Sequence, residues 1–383
     1  MHTFGLTSCF LLGRKPPEWS PLIDSTSGYF CGRNAASSGP GPCSLLWPGR
    51  VAGLGLGPLR PLARTPGPAD HHATDSGPLS ALRLALAGVL LAWTGPLAAT
   101  PLYTTTGECA GHPRIDLQVP PGWCVGLVAG AEQGLRMPRR LLEVAPGRLW
   151  IVDMGNWEPR RGRLLEWRSD TRSLRTLAQG LDRPHGLARG PDGQVYIGEA
   201  GTVWRTPVAE AVQREDLITG LPSDGAHPLK ELAFGRDGRL YINVGSATDA
   251  CRDEQQRQPL PCPELAGERP RAAVWVATLG GPRHTLQSLR PLATGLRNSL
   301  GLAVVPDGQG GERLWQAENS VDYADARAPA EELNELTPGS QHGWPTCVSD
   351  AKGRSVVARG YEGRAHCDRA PHRPPVQSWP APV

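Results

Sequence analysis

The chain has few rings and little bulk charge: 4 Phe and 6 Tyr against 12 Trp, and a net charge of +3 over 383 residues. Near-neutrality gives no basis for binding a polyanion such as nucleic acid. A Gly-rich phosphate loop and a dinucleotide fingerprint are both missing, which argues against nucleotide chemistry. No Cys-x-x-Cys occurs, which argues against zinc and thiol redox chemistry. The longest apolar run, Leu84 to Trp93, is too short for a comfortable membrane span. What is abundant is Gly (47) and Pro (39), which favours many tight turns over long helices.

Residues 1–78 are rich in Gly, Pro and Ser and lack strand alternation. After them come Arg83, the apolar run and Gly95-Pro-Leu-Ala-Ala99, the three parts of a secretory signal. Residues 79–99 are therefore read as a signal peptide, with 1–78 a low-complexity extension upstream of the true start. A disordered head followed by a membrane anchor is the alternative. The expected location is periplasmic or secreted, without stable membrane insertion. Beyond the signal six cysteines remain, Cys109, Cys124, Cys251, Cys262, Cys347 and Cys367. An even count after an export signal suggests disulfides, and pairing of sequence neighbours is the simplest of the 15 connectivities.

Residues 100–383 carry a repeat. Its first unit has the turn Ala145-Pro-Gly147 followed by Arg148-Leu-Trp-Ile-Val-Asp153. The second reads Pro184-His-Gly-Leu-Ala188, Pro191-Asp-Gly193 and Gln194-Val-Tyr-Ile-Gly-Glu199. The third places Leu229-Lys-Glu-Leu-Ala-Phe234 before Arg236-Asp-Gly238 and Arg239-Leu-Tyr-Ile-Asn-Val244. The fourth places Gly301-Leu-Ala-Val-Val305 before Pro306-Asp-Gly308 and Leu314-Trp-Gln-Ala-Glu318. Each is a strand, a glycine turn and a second strand. The turn glycines are spaced by 46, 45 and 70 residues. A period near 45 with short strands indicates propeller blades, so the fold is expected to be an all-β propeller of four-stranded antiparallel blades. Residues Cys251 to Pro270 account for the long step as an insertion. A partial fifth unit follows Gly343, and a six-bladed ring lacking its last blades is expected.

Within this frame the polar residues are concentrated. His227 opens the third unit, and a neutral imidazole there can accept a proton near neutral pH. Arg297 and Asn298 precede the fourth unit and offer a permanent cation and an amide. Glu318, Asn319, Asp322, Asp325, Glu331, Glu332 and Asn334 form an acidic stretch that could supply oxygens to a hard cation. Each has a plainer structural reading: a loop-capping histidine, an arginine tied to acidic loops, and solvated charges.

The phrases His227-Pro-Leu-Lys-Glu-Leu-Ala-Phe-Gly-Arg-Asp-Gly-Arg-Leu-Tyr-Ile-Asn-Val-Gly-Ser246, Gly295-Leu-Arg-Asn298, Glu318-Asn319, Glu332-Leu-Asn334 and Gly343-Trp-Pro345, in this order, resemble the PQQ-dependent soluble sugar dehydrogenases, the glucose/sorbosone dehydrogenase group. The resemblance covers about residues 117–380. It implies PQQ and Ca2+ as cofactors, a sugar substrate, an unidentified electron acceptor and oxidation of an aldose or related aldehyde. It implies His227 as the base and Arg297 against the quinone with Asn298 beside it. Gly245 and Ser246 are expected to let a planar cofactor approach, and His185 is expected to face the channel. Glu318 and the carbonyls of Ser320 and Val321 are expected at calcium. Three departures stand out: Ala226 precedes the base where an acidic residue is usual, Ser320-Val321 replaces a Gly-Pro, and His185 replaces part of a Gln-Gly turn. A non-catalytic ligand- or protein-binding propeller is the alternative, and a calcium-dependent lactonase ranks last.

Overall fold

A computed structural model of the chain describes residues 9–14 (as backbone), 103–323 and 329–380. The expected signal peptide and Asp325 lie outside the described residues. Twenty-two strands occur among those described and no α-helix.

Five four-stranded antiparallel sheets follow one another along the chain. The first contains β1 (Cys9–Arg14), β2 (Thr105–Cys109), β3 (His112–Ile115) and β4 (Trp123–Ala129), with β1 paired to β4. The second is an up-and-down meander of β5 (Pro138–Ala145), β6 (Arg148–Asp153), β7 (Gly162–Arg168) and β8 (Ser173–Leu181). The third repeats it with β9 (Gly186–Arg189), β10 (Val195–Gly198), β11 (Thr202–Thr206) and β12 (Glu215–Thr219). The fourth has β13 (Leu232–Phe234), β14 (Leu240–Val244), β15 (Ala273–Gly280) and β16 (Thr285–Thr294). The fifth begins with β17 (Ser299–Pro306), β18 (Glu312–Glu318) and β19 (Glu331–Leu336).

The hairpins form where glycine permits a left-handed turn. Gly193 and Gly308 have φ of 78° with open space around them, so backbone conformation rather than crowding selects glycine there. Between hairpins, alternate side chains reach opposite neighbours. Val195 and Ile197 pack with Trp150, Leu164 and Leu187 against the second sheet, whereas Tyr196 packs with Leu240 and Trp275 against the fourth. Further clusters join the first sheet to the second through Ala129, Ile151 and Trp167, and the fourth to the fifth through Val276, Leu296 and Leu314. The first strands of successive meanders touch in series, β5 on β9, β9 on β13 and β13 on β17. Face-to-face sheets whose leading strands line one axis make a β-propeller.

The insertion lies between β14 and β15, as the spacing predicts. The segment after Gly343 is a correction to the repeat count. It starts no new blade; it forms a hairpin of β20 (Cys347–Ser349) and β21 (Ser355–Val357), then sends β22 (Gln377–Trp379) back to pair with β19. Trp344 and Tyr361 explain why: together with Ala250, Cys251, Cys262 and Val348 they bury a core of their own against the insertion. The disulfides are Cys109–Cys124, Cys251–Cys262 and Cys347–Cys367, the pairing of sequence neighbours.

Candidate active site

The lead-ins to β13 and β17 meet at the loop that leaves β14. The N–H of Ser246 donates to the carbonyl of Arg297 at 2.8 Å, and the N–H of Ala226 donates to Ala247 at 2.7 Å. Gly245 is required for this approach: a Cβ there would lie 2.5 Å from His227 Cβ and 2.6 Å from the His227 carbonyl oxygen. The space beside Gly245 is thus taken by His227 itself.

His227 is 8% exposed. Its Nδ1 lies 3.0 Å from the Ser246 carbonyl oxygen and 2.9 Å from Ser246 Oγ. The Ser246 hydroxyl donates its single proton to the Thr248 carbonyl at 2.7 Å. Both atoms near Nδ1 are then acceptors, so Nδ1 carries the hydrogen and Nε2 presents a lone pair. Burial, and next the charge of Arg297, lower the His227 pKa to about 4, against a smaller opposing pull from Ser246 and Asp322. The ring is neutral near pH 7.

Arg297 is buried. Its guanidinium donates to the Asn319 carbonyl at 2.9 Å and to Asp322 at 2.8 Å, and pairs with Asp249 at 2.6 Å; its Nε has no partner. Asp322 is the loosely held member, with a side chain 80% exposed. Asn298 has a buried, unpartnered Oδ1. A carboxylate oxygen of Glu318 accepts from the N–H groups of Arg297 and Asn298 and so fixes the path of this dipeptide.

Behind Arg297 lies a polar layer that the sequence pattern only partly reveals. Gln316 bridges Glu318 and Asn334, Asn334 reaches Glu332, and Ser349 donates to Glu332 at 2.7 Å. Burial, and then the neighbouring Glu332, push the Glu318 pKa up to about 8, with Arg297 opposing. Glu331 rises to about 7, chiefly by burial, and burial raises Glu332 as well. A void of about 10 Å³ between Arg297, Glu318, Glu332 and His342 is of the size of one water. A larger one, about 290 Å³, lies on the far side of Gly295 and Trp344, against Leu260, His366 and His372, and is not lined by His227.

His185 is in a different environment. It is buried, with Nδ1 3.0 Å from Glu231, a carboxylate that also lies 3.5 Å from Arg140. Its surroundings are this enclosed ion cluster rather than the His227 loop. Lys230 and Glu231, both fully buried, escaped the sequence reading. Their signal was a pair of charges at the start of an otherwise apolar strand. Lys230 Nζ donates to the carbonyls of Pro222 and Pro228, and burial, followed by the charges of Arg271 and Arg183, lowers its pKa to about 7.

No family model matches the chain, and no curated protein matches it. Solved structures do. The holo PQQ domain of pyranose dehydrogenase from Coprinopsis cinerea is similar at 23% identity and a TM-score of 0.43, over 56% of this chain and 55% of that one. A Thermus thermophilus protein assigned as an oxidoreductase (glucose dehydrogenase) is similar at 23% identity and a TM-score of 0.45, over 64% and 71%. An auxiliary nutrient binding protein from Bacteroides thetaiotaomicron is similar at 11% identity and a TM-score of 0.38, over 64% and 55%. The chain thus spans little more than half the length of the first of these.

The donors can be weighed against the cofactors that the sequence resemblance implies. For calcium, the Glu318 oxygens are already engaged by the Arg297 and Asn298 N–H groups and by Gln316, and the Arg297 guanidinium donates to the Asn319 carbonyl next to Ser320. Among the described residues no group of three or more His, Cys, Asp and Glu side chains could hold a metal. A quinone bearing carboxylates fits the donor chemistry better. Arg297 has an unpartnered Nε and an exposed, exchangeable partner in Asp322, Asn298 is beside it, and His227 offers a neutral acceptor.

Proposed function

We propose that the chain is a secreted or periplasmic sugar dehydrogenase that oxidises an aldose or related sugar aldehyde with PQQ. The observation that carries this reading is the neutral Nε2 of His227 held beside the buried guanidinium of Arg297. The Ser246 acceptors fix the tautomer, so the imidazole needs no rearrangement to take a hydroxyl proton. PQQ, when bound, supplies a quinone that accepts the hydride, and the sugar then loses two electrons and two hydrons in all. Arg297 and Asn298 would face the quinone oxygens, the guanidinium exchanging Asp322 for them. The three disulfides support an oxidising compartment. Among the described residues no helix is long and apolar enough to cross a membrane.

A second reading, a ligand-binding propeller without catalysis, draws on the two carboxylates that already pair with Arg297. Dye reduction by the full chain with PQQ, calcium and a panel of aldoses separates the two. Turnover that needs both sugar and PQQ and disappears in His227→Ala supports the dehydrogenase. Sugar binding without PQQ binding or turnover supports the second reading.

A further inference from the structure

We infer that Glu264, on the disulfide-closed insertion, is a positioning residue that clamps the 246–249 loop and thereby holds both His227 and Arg297. This rests on the reading of His227 as the base. The insertion leaves β14, passes through Cys251 and Cys262, and returns to β15. Two residues after the second cysteine, Glu264 turns its carboxylate back onto the loop. One oxygen accepts from the Ala247 N–H; the other accepts from the Thr248 N–H at 3.2 Å and the Thr248 hydroxyl at 2.6 Å. Three donors on two consecutive residues fix the loop more firmly than one bond would.

The gripped residues sit between those that hold the site. Ser246, one position earlier, takes the Nδ1 hydrogen of His227, and its hydroxyl donates to the Thr248 carbonyl. Its N–H donates to the Arg297 carbonyl. Asp249, one position later, pairs with the Arg297 guanidinium, and its own carbonyl accepts from Trp344 Nε1 at 2.9 Å. One four-residue loop therefore sets the imidazole from one end and the guanidinium from the other. Glu264 is its anchor from outside the blade. The anchor is itself fixed: Cys251 and Cys262 are buried beside Tyr361 and Trp344, and the Glu264 carbonyl accepts from the Arg271 N–H at 2.7 Å. The insertion thus serves the site at a distance from the ring that it orients.

The test reads the ring directly. In the full chain carrying ¹³C-labelled histidine, the His227 resonance, assigned by its loss in His227→Ala, is titrated in the parent, Glu264→Gln and Glu264→Ala. Release of the loop admits water to the ring, so the midpoint rises from about 4 towards the ordinary value of 6.5 in Glu264→Ala. Glu264→Gln keeps an oxygen for Thr248 but sets an amide against the Ala247 N–H, and falls between. In the turnover assay Glu264→Ala loses about ten- to a hundredfold in kcat with a smaller change in KM. An unmoved midpoint in folded Glu264→Ala overturns the inference; should that variant not fold, an unmoved midpoint in Glu264→Gln does so. A parent that fails to turn over sugar defeats the dehydrogenase reading alone, because the titration does not depend on activity.

Discussion

His185 and His227 begin neighbouring blades, each just ahead of the leading strand, yet their surroundings make them different kinds of residue. His185 places Nδ1 3.0 Å from the buried Glu231 carboxylate, with no hydrogen bond formed between them, and Arg140 lies 3.5 Å from the same carboxylate. His227 turns Nδ1 to neutral oxygens of Ser246 and lies near a guanidinium, with Nε2 uncommitted. The same position in the repeat therefore lies beside a buried carboxylate in one blade and against neutral oxygens in the next. The decisive difference is the partner of Nδ1, which comes from a residue distant in sequence in both cases.

The contrast can be broken most sharply by truncating each ring. His227→Ala is expected to lower sugar turnover by about 10²- to 10⁴-fold while leaving the thermal midpoint close to that of the parent. Equal turnover would remove His227 from the chemistry. Next in size is the carboxyl beneath Arg297. Because the Glu318 pKa is raised in the folded chain, the native state keeps a proton that the unfolded chain gives up above about 4.5. Stability is therefore fully present below that pH and declines as the pH rises towards about 8. Glu318→Gln, which resembles the protonated acid, should flatten the decline and gain on the order of a few kcal/mol at pH 8 in urea unfolding. A parent whose stability is level between pH 5 and 8 would refute the assignment.

His185→Ala should instead cost about 1–3 kcal/mol, because it opens a void in the buried packing beside Glu231. Burial lowers the pKa of both histidines, so their linkage has the same sign. The depressed His227 pKa makes its contribution complete above about 6.5 and lost as the pH falls through about 4. His227→Gln should then remove part of the acid-side loss of stability, read as a shallower fall between pH 6 and 4. Smallest of all, Glu158→Gln, which breaks the exposed pair with Arg161, should shift stability by less than about 0.5 kcal/mol.

The blades were legible because their signals are local. Pro191-Asp-Gly193 and Pro306-Asp-Gly308 mark turns whose conformation only a few residues adopt, and flanking Val, Ile and Tyr make strands in either direction. The three disulfides were legible for the same reason, each joining sequence neighbours. The site was legible as a list but not as an arrangement. His227, Arg297 and Asn298 could be named, whereas the enclosure of His185 by Glu231 depends on packing between blades. Glu264 looked like one more charge in a polar insertion, since nothing in sequence links it to Ala247 and Thr248 across the disulfide. The return of β22 was missed because it carries no glycine turn, and the first sheet because its turn glycine, Gly111, precedes Gly147 by 36 residues and is out of step with the repeat.

That return of β22 has a consequence for how the molecule assembles. The second, third and fourth sheets are meanders in which every strand follows its partner along the chain, so each can form as soon as its own residues are available. The fifth cannot. Its outer strand follows the hairpin of β20 and β21 and the Cys347–Cys367 bridge, all of which lie between Leu336 and Gln377. The bridge shortens the excursion that must be closed before β22 docks. Oxidation of that one cysteine pair would accordingly ease the docking of β22 that covers the last edge of β19.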